Sequence, residues 1–111
     1  MPQPAIVPVP EIAALRAAWA RNPRDLGVGL YNPGTGEIHI GSFDDTGGVG
    51  HDGLAKLLGI TNEAEWRGFT VCPNGDWYPI SHFNLPDGSL YMAPDAAAEV
   101  EQALRYAALI P

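Results

Sequence analysis

Three histidines, one cysteine and a concentration of aromatic residues are the side chains here suited to chemistry or specific contact. His51 stands beside Asp52, and His82 lies in Ile80-Ser81-His82-Phe83-Asn84. Two imidazoles brought together can divide general acid and base work in metal-free RNA cleavage: one takes the 2′-hydroxyl proton and the other protonates the leaving oxygen. Asp52 would orient or charge-balance the first of them. His39 alternates with Ile38 and Ile40, so a strand there turns it to the opposite face from both. No HxH, HxxxH or HExxH spacing accompanies the three, and neither a metal nor any other cofactor is expected.

Cys72 directly precedes Pro73-Asn74-Gly75. No helix start lies there to stabilise a thiolate, so it reads as a strand thiol and not as a nucleophile acting with His82 and Asn84. The aromatic residues make a stronger case. Trp66, Phe69, Trp77, Tyr78, Phe83 and Tyr91 are six of the chain's ten. Alternation puts Trp77 and Tyr78 on opposite faces of one strand, and so small a domain has difficulty covering both. An exposed Trp77/Tyr78 edge, with Phe83, Tyr91 and the carboxylates of Asp76 and Asp87 nearby, is the composition of a protein-binding surface.

Formal net charge is −7, unevenly placed. Residues 26–111 hold three cations (Lys56, Arg67, Arg105) against eleven carboxylates, a net of −8. Binding to nucleic acid requires clustered Lys and Arg to displace counterions from phosphates, so neither DNA nor RNA is expected as a partner. A basic protein suits this field better.

Three short motifs deserve comparison with known patterns. Gly48-Val49-Gly50-His51-Asp52-Gly53 matches G-x-G-x-x-G, but it follows a hairpin strand, opens a helix of about two turns and carries Asp52. Gly53-Leu-Ala-Lys-Leu-Leu-Gly-Ile-Thr61 resembles the second helix and turn of a helix-turn-helix DNA-binding motif, with Ala55 and Gly59 at its small-residue and turn positions. The recognition helix that this resemblance implies would fall on Asn62 to Arg67, which is short and bears Glu63 and Glu65. The Gly-rich segment before His51 resembles histidine-bearing loops of small toxin ribonucleases, and implies RNA cleavage by His51.

These residues need elements to place them. At 111 residues with 46% apolar and 17% charged content, the chain is expected to form one domain with no membrane span. Residues 1–10, with four prolines, read as an extended arm and not as a signal peptide, and a cytoplasmic location follows as the default. Ile12, Leu15 and Trp19 mark a helix over Glu11 to Arg21, stopped by Asn22-Pro23. Strands Val28 to Tyr31 and Glu37 to Ser42 flank Asn32-Pro-Gly-Thr-Gly36, and His51 to Leu58 forms a short helix ended by Gly59. Thr61 is placed to cap one further turn.

Strands Phe69 to Cys72 and Asp76 to Ile80 flank the Asn74-Gly75 turn, a strong hairpin signal because both residues tolerate positive φ. Pro79 marks its strand as an edge. Ser89 to Met92 is a third strand, and Pro94 opens a helix over Asp95 to Ala108 with Ala97, Val100, Leu104 and Ala107 inward. The expected fold is α+β, ordered α-ββ-α-ββ(β)-α. It has an antiparallel sheet of four or five strands from two hairpins, with helices mainly on one face.

On this reading the protein is a small acidic binding or inhibitory module of the immunity, antitoxin or phage-inhibitor kind. The competing reading is a metal-independent hydrolase or ribonuclease-like effector using His51 and His82.

Overall fold

A computed structural model describes residues 8–48, 50–80, 82–84, 87–92 and 96–111. Its helices are α1 (Val9–Arg21), α2 (His51–Leu57) and α3 (Ala97–Tyr106), and its strands are β1 (Gly27–Tyr31), β2 (Ile38–Ser42), β3 (Arg67–Val71), β4 (Trp77–Ile80), β5 (His82–Asn84) and β6 (Leu90–Met92). A single 3-10 turn, Glu63–Glu65, precedes β3. The four-stranded sheet runs β2-β1-β3-β4 with every pair antiparallel, and β5 pairs β6 separately. The class is α+β, as expected, and the order of helices and hairpins holds. β5 is one strand more than expected, and it pairs with β6 outside the main sheet because its partner comes from the segment after it.

Both hairpins close on turn chemistry written locally. The Asn32 carboxamide oxygen accepts the N–H groups of Gly34 at 2.9 Å and Thr35 at 3.3 Å, and the Asn32 N–H donates to the Glu37 carbonyl at 2.9 Å. Gly75 takes φ +93° in the second turn, where a side chain would be strained. Several expected boundaries move. The first helix starts at Val9, so Pro10 lies in its first turn, where an amide N–H has no intrahelical partner in any case. The turn before β3 has Asn62, not Thr61, at its N-cap, with no side-chain cap bond. Pro94 and Asp95, expected to open the last helix, lie outside the described residues, as do residues 1–7 of the expected arm.

Alternation splits the sheet into two apolar faces. On the first, Tyr31, Ile38, Ile40, Phe69 and Val71 pack with Ile12 and Leu15 of α1, Val100, Ala103 and Leu104 of α3, and Leu109. On the second, Val28 and Leu30 pack with Leu54 and Ala55 of α2 and with Trp66, while Phe43, Ile60 and Tyr91 cover them in part. Two helices therefore lie on one face and the short one on the other. The expected stripe of the last helix holds at Val100, Leu104 and Ala107, with Ala103 also buried and Ala97 half-buried.

Two glycines on the inner strands make room for rings. A Cβ at Gly29 would lie 2.1 Å from the Phe69 ring, its cross-strand partner. A Cβ at Gly68 would lie 2.6 Å from the His51 imidazole. Each ring thus rests directly on strand backbone, one on each face.

Each sheet edge carries a guard at one outward-facing position. The Cys72 N–H donates to the Asp76 carbonyl at 2.7 Å, so that pair is hydrogen-bonded. Alternation then makes Phe69 and Pro79 a non-bonded pair, and Pro79 lacks its N–H where the strand faces outward. On β2 the same parity turns the Ile40 N–H outward, and the Glu11 carboxylate accepts it at 2.8 Å. Free edge amides invite pairing with another chain, and Pro and an acidic side chain remove them.

Candidate functional site

The segment from β2 to α2 is organised by one buried carboxylate. Asp25, 3% exposed, accepts the Ser42 hydroxyl and the N–H groups of Leu26 at 2.8 Å and Asp44 at 3.1 Å. Asp44 in turn accepts from the Asn22 amide at 2.8 Å, and Asp45 pairs with Arg21 at 3.0 Å. The G-x-G-x-x-G stretch therefore follows a loop tied to the end of α1. Val49, within that stretch, lies outside the described residues.

His51 and His82, 31 residues apart in the chain, are brought together. Their ring centroids lie 5.3 Å apart in an edge-to-face arrangement. His51 is 5% exposed, packed on Gly68, and its Nε2 bonds the His82 carbonyl. With the carbonyl as acceptor, Nε2 carries the proton. Burial pushes the His51 imidazole below its ordinary value, against the opposing pull of the carbonyl bond and the Asp52 charge. His82 is exposed. The ring that could act as a base is therefore the one already bonded to backbone, while its neighbour faces solvent.

His39 sits apart from this pair. Nδ1 lies 3.0 Å from Glu11 and Nε2 lies 3.6 Å from Glu37, and the ring stands 5.7 Å from that of Trp66. As alternation requires, it is on the opposite face from the buried Ile38 and Ile40. The two carboxylates meet opposite nitrogens of one ring, so they do not converge on a point as metal ligands must. Among the described residues no group of three or more His, Cys, Asp or Glu is placed to hold a metal ion.

The aromatic surface is divided. Trp77 is half-buried against the first core, whereas Tyr78, on the other face of β4, is 56% exposed. Tyr91 leans on the second core, and its neighbours Leu90 and Met92 are 58% and 64% exposed. The Phe83 side chain lies outside what the structure describes. Asp76 and Asp87 are both exposed in turns. The Asp76 carboxylate accepts the Asn74 amide at 3.1 Å, and the hydroxyl and N–H of Ser89 hold the Asp87 carboxyl below the usual carboxylate range. Of the expected Trp77/Tyr78 edge, Tyr78 is thus the more exposed, and Leu90 and Met92, which the sequence did not single out, are exposed beside Tyr91. Trp77-Tyr78 and Leu90-Tyr91-Met92 are apolar at successive positions, so alternation gives no sign of which face is covered.

An open groove of about 450 Å³ lies between α1, the second hairpin turn and the chain end, lined by Arg16, Trp19, Asn74, Arg105 and Leu109 among others. Its two guanidinium groups already donate to the carbonyls of Ala108 at 2.9 Å and Pro111 at 3.1 Å. Both carbonyls lie in the segment after α3, whose own carbonyls at Ala103, Leu104 and Arg105 accept the N–H groups of Ala107, Leu109 and Ala108. Cys72 is a half-buried free thiol at the start of the second turn.

No protein-family model matches this chain, and neither a curated protein nor a solved structure matches it.

Proposed function

We propose that this protein is a small acidic binding or inhibitory module, of the immunity, antitoxin or phage-inhibitor kind, acting on a basic protein. One observation carries the reading: Tyr78 on β4 and Leu90 and Met92 on β6 are each more than half exposed. Large apolar side chains exposed on strands serve as interface anchors, and acidic groups nearby in the chain steer a cationic partner. Asp76 and Asp87, each in a turn beside one of these strands, supply such groups. The net charge of −7 supplies the long-range field. Pro79 and the Glu11-bonded Ile40 amide disfavour addition of a strand at those positions, which supports docking by side chains.

The test is a quantitative pull-down by the immobilised protein at low and high salt, repeated with a Tyr78→Ala/Leu90→Ser/Met92→Ser variant of unchanged thermal stability. Recovery of one basic protein that falls at high salt, and falls at least about tenfold with the variant, is expected; two lost anchors suffice for that. Equal recovery by the variant would reject this surface.

A second reading, the metal-independent hydrolase, is favoured by the 5.3 Å approach of the His51 and His82 rings. Against it, His51 is buried and bonded to a carbonyl, and its charged neighbour is Asp52, which repels phosphate. RNA cleavage lost on His82→Ala would restore this reading.

A further inference from the structure

The β5–β6 hairpin lies outside the main sheet, so something other than ladder hydrogen bonds must hold it there. Two contacts do. Tyr91 leans on the second core, and the buried His51 of α2 bonds the His82 carbonyl. The second contact is made by the one side-chain type whose charge changes between pH 5 and 8 without special tuning.

We propose that His51 is an acid-sensitive latch, which holds the β5–β6 hairpin against α2 while neutral and releases it when protonated. The argument stands on where the imidazole lies. His51 is 5% exposed, with its ring directly on the backbone of Gly68 and its Nε2–H spent on His82. Protonation of the ring places a positive charge in a site with little water. Neighbours decide how much of that cost is recovered. Burial, the largest effect, and the His82 imidazole 5.3 Å away oppose the charge. The carbonyl bond from β5, itself stronger to a charged ring, and Asp52 on its own helix favour it, and β3 meets the ring with Gly68, which has no side chain. Opening the hairpin returns the imidazolium to water and separates the two rings.

The direction of the pH dependence follows. Burial sets the folded value of His51 below its ordinary one, so the latch stabilises the closed hairpin fully above the ordinary value of 6.5. That stability is lost as pH falls from there through the folded value. A single titrating group changes the closed-to-open ratio by at most about tenfold per pH unit. The latch holds whether or not β6 docks a partner, though it would control how Leu90 and Met92 are presented.

NMR of the full chain between pH 7.5 and 4.5 tests it, following the His51 ring protons, the Tyr91 ring and the Met92 methyl. The expected result is that Tyr91 and Met92 move with the same midpoint as His51, below 6.5, while Phe69 and Leu104 in the first core keep their shifts. In His51→Gln, whose amide N–H can donate to the same carbonyl without titrating, that transition should disappear. Three results overturn the latch: an unchanged transition in His51→Gln, no hairpin transition in the native chain, or first-core signals moving together with the hairpin. Should His51→Gln fail to fold, coincidence of midpoints in the native chain still decides.

Discussion

The two faces of the sheet are built from the same strands but closed by different means. The first is covered by α1 and α3 and holds an apolar core in which Phe69 lies over Gly29. Its titratable member is Tyr31, 1% exposed, whose hydroxyl is pushed above its ordinary value by burial and then by Glu99. It stays neutral throughout the physiological range. The second face is covered by one two-turn helix and a separate hairpin, and the ring resting on its glycine is an imidazole. Burial is stabilising on both, but only the second has a group at its seam whose charge changes near neutrality. The first face is a scaffold, and the second is where this protein can respond.

The sharpest way to break that contrast is Phe69→Ala. It empties the centre of the first face, and a loss of about 3–5 kcal/mol is expected from cavity formation in denaturant unfolding. An effect below about 1 kcal/mol would show that the first face is not the scaffold. Gly68→Ala acts on the other side. Its Cβ would meet the His51 ring at 2.6 Å, so the imidazole must move. Overpacking of this kind costs about 1–3 kcal/mol. The expected signature is selective, with faster amide exchange in β5 and β6 and unchanged protection in β1; uniform loss of protection would erase the distinction between faces. Pro79→Val is the smallest change. It restores an outward N–H on β4 at an exposed site, so stability should stay within about 0.5 kcal/mol. Self-association measured by sedimentation should nonetheless increase, because the edge loses its guard. A strictly monomeric variant would remove Pro79 as an edge guard.

Legibility followed the range of the interactions. Both main hairpins could be read because their turns are closed by residues within the turn: Asn32 through its own carboxamide, and Gly75 through its positive φ. The edge position of β4 was readable from Pro79 alone, since a missing N–H is intolerable between two neighbours. β5 was not readable. Its three residues form a strand because β6 pairs with them, and nothing in Ile80 to Asn84 signals that partner. Glu11 as guard of the β2 edge was equally silent, being 29 residues from the amide it accepts.

The histidines show the same division. Their residue types and the neighbouring Asp52 named them as candidates, and strand parity assigned His39 its face. What each nitrogen bonds was decided by packing, which set His51 on Gly68 and turned it to a carbonyl 31 residues away.

By itself, then, the sequence determined the charge, the class of fold, the two hairpins and the guarded edge at Pro79, because composition, turn chemistry and two-residue alternation act over a few residues. Tertiary structure alone decided that Trp77 is half-buried while Tyr78, Leu90 and Met92 are exposed, and that His51 joins α2 to β5. Those outcomes depend on which element covers which face. That choice minimises exposed apolar area over the whole chain and is written in no single stretch of it.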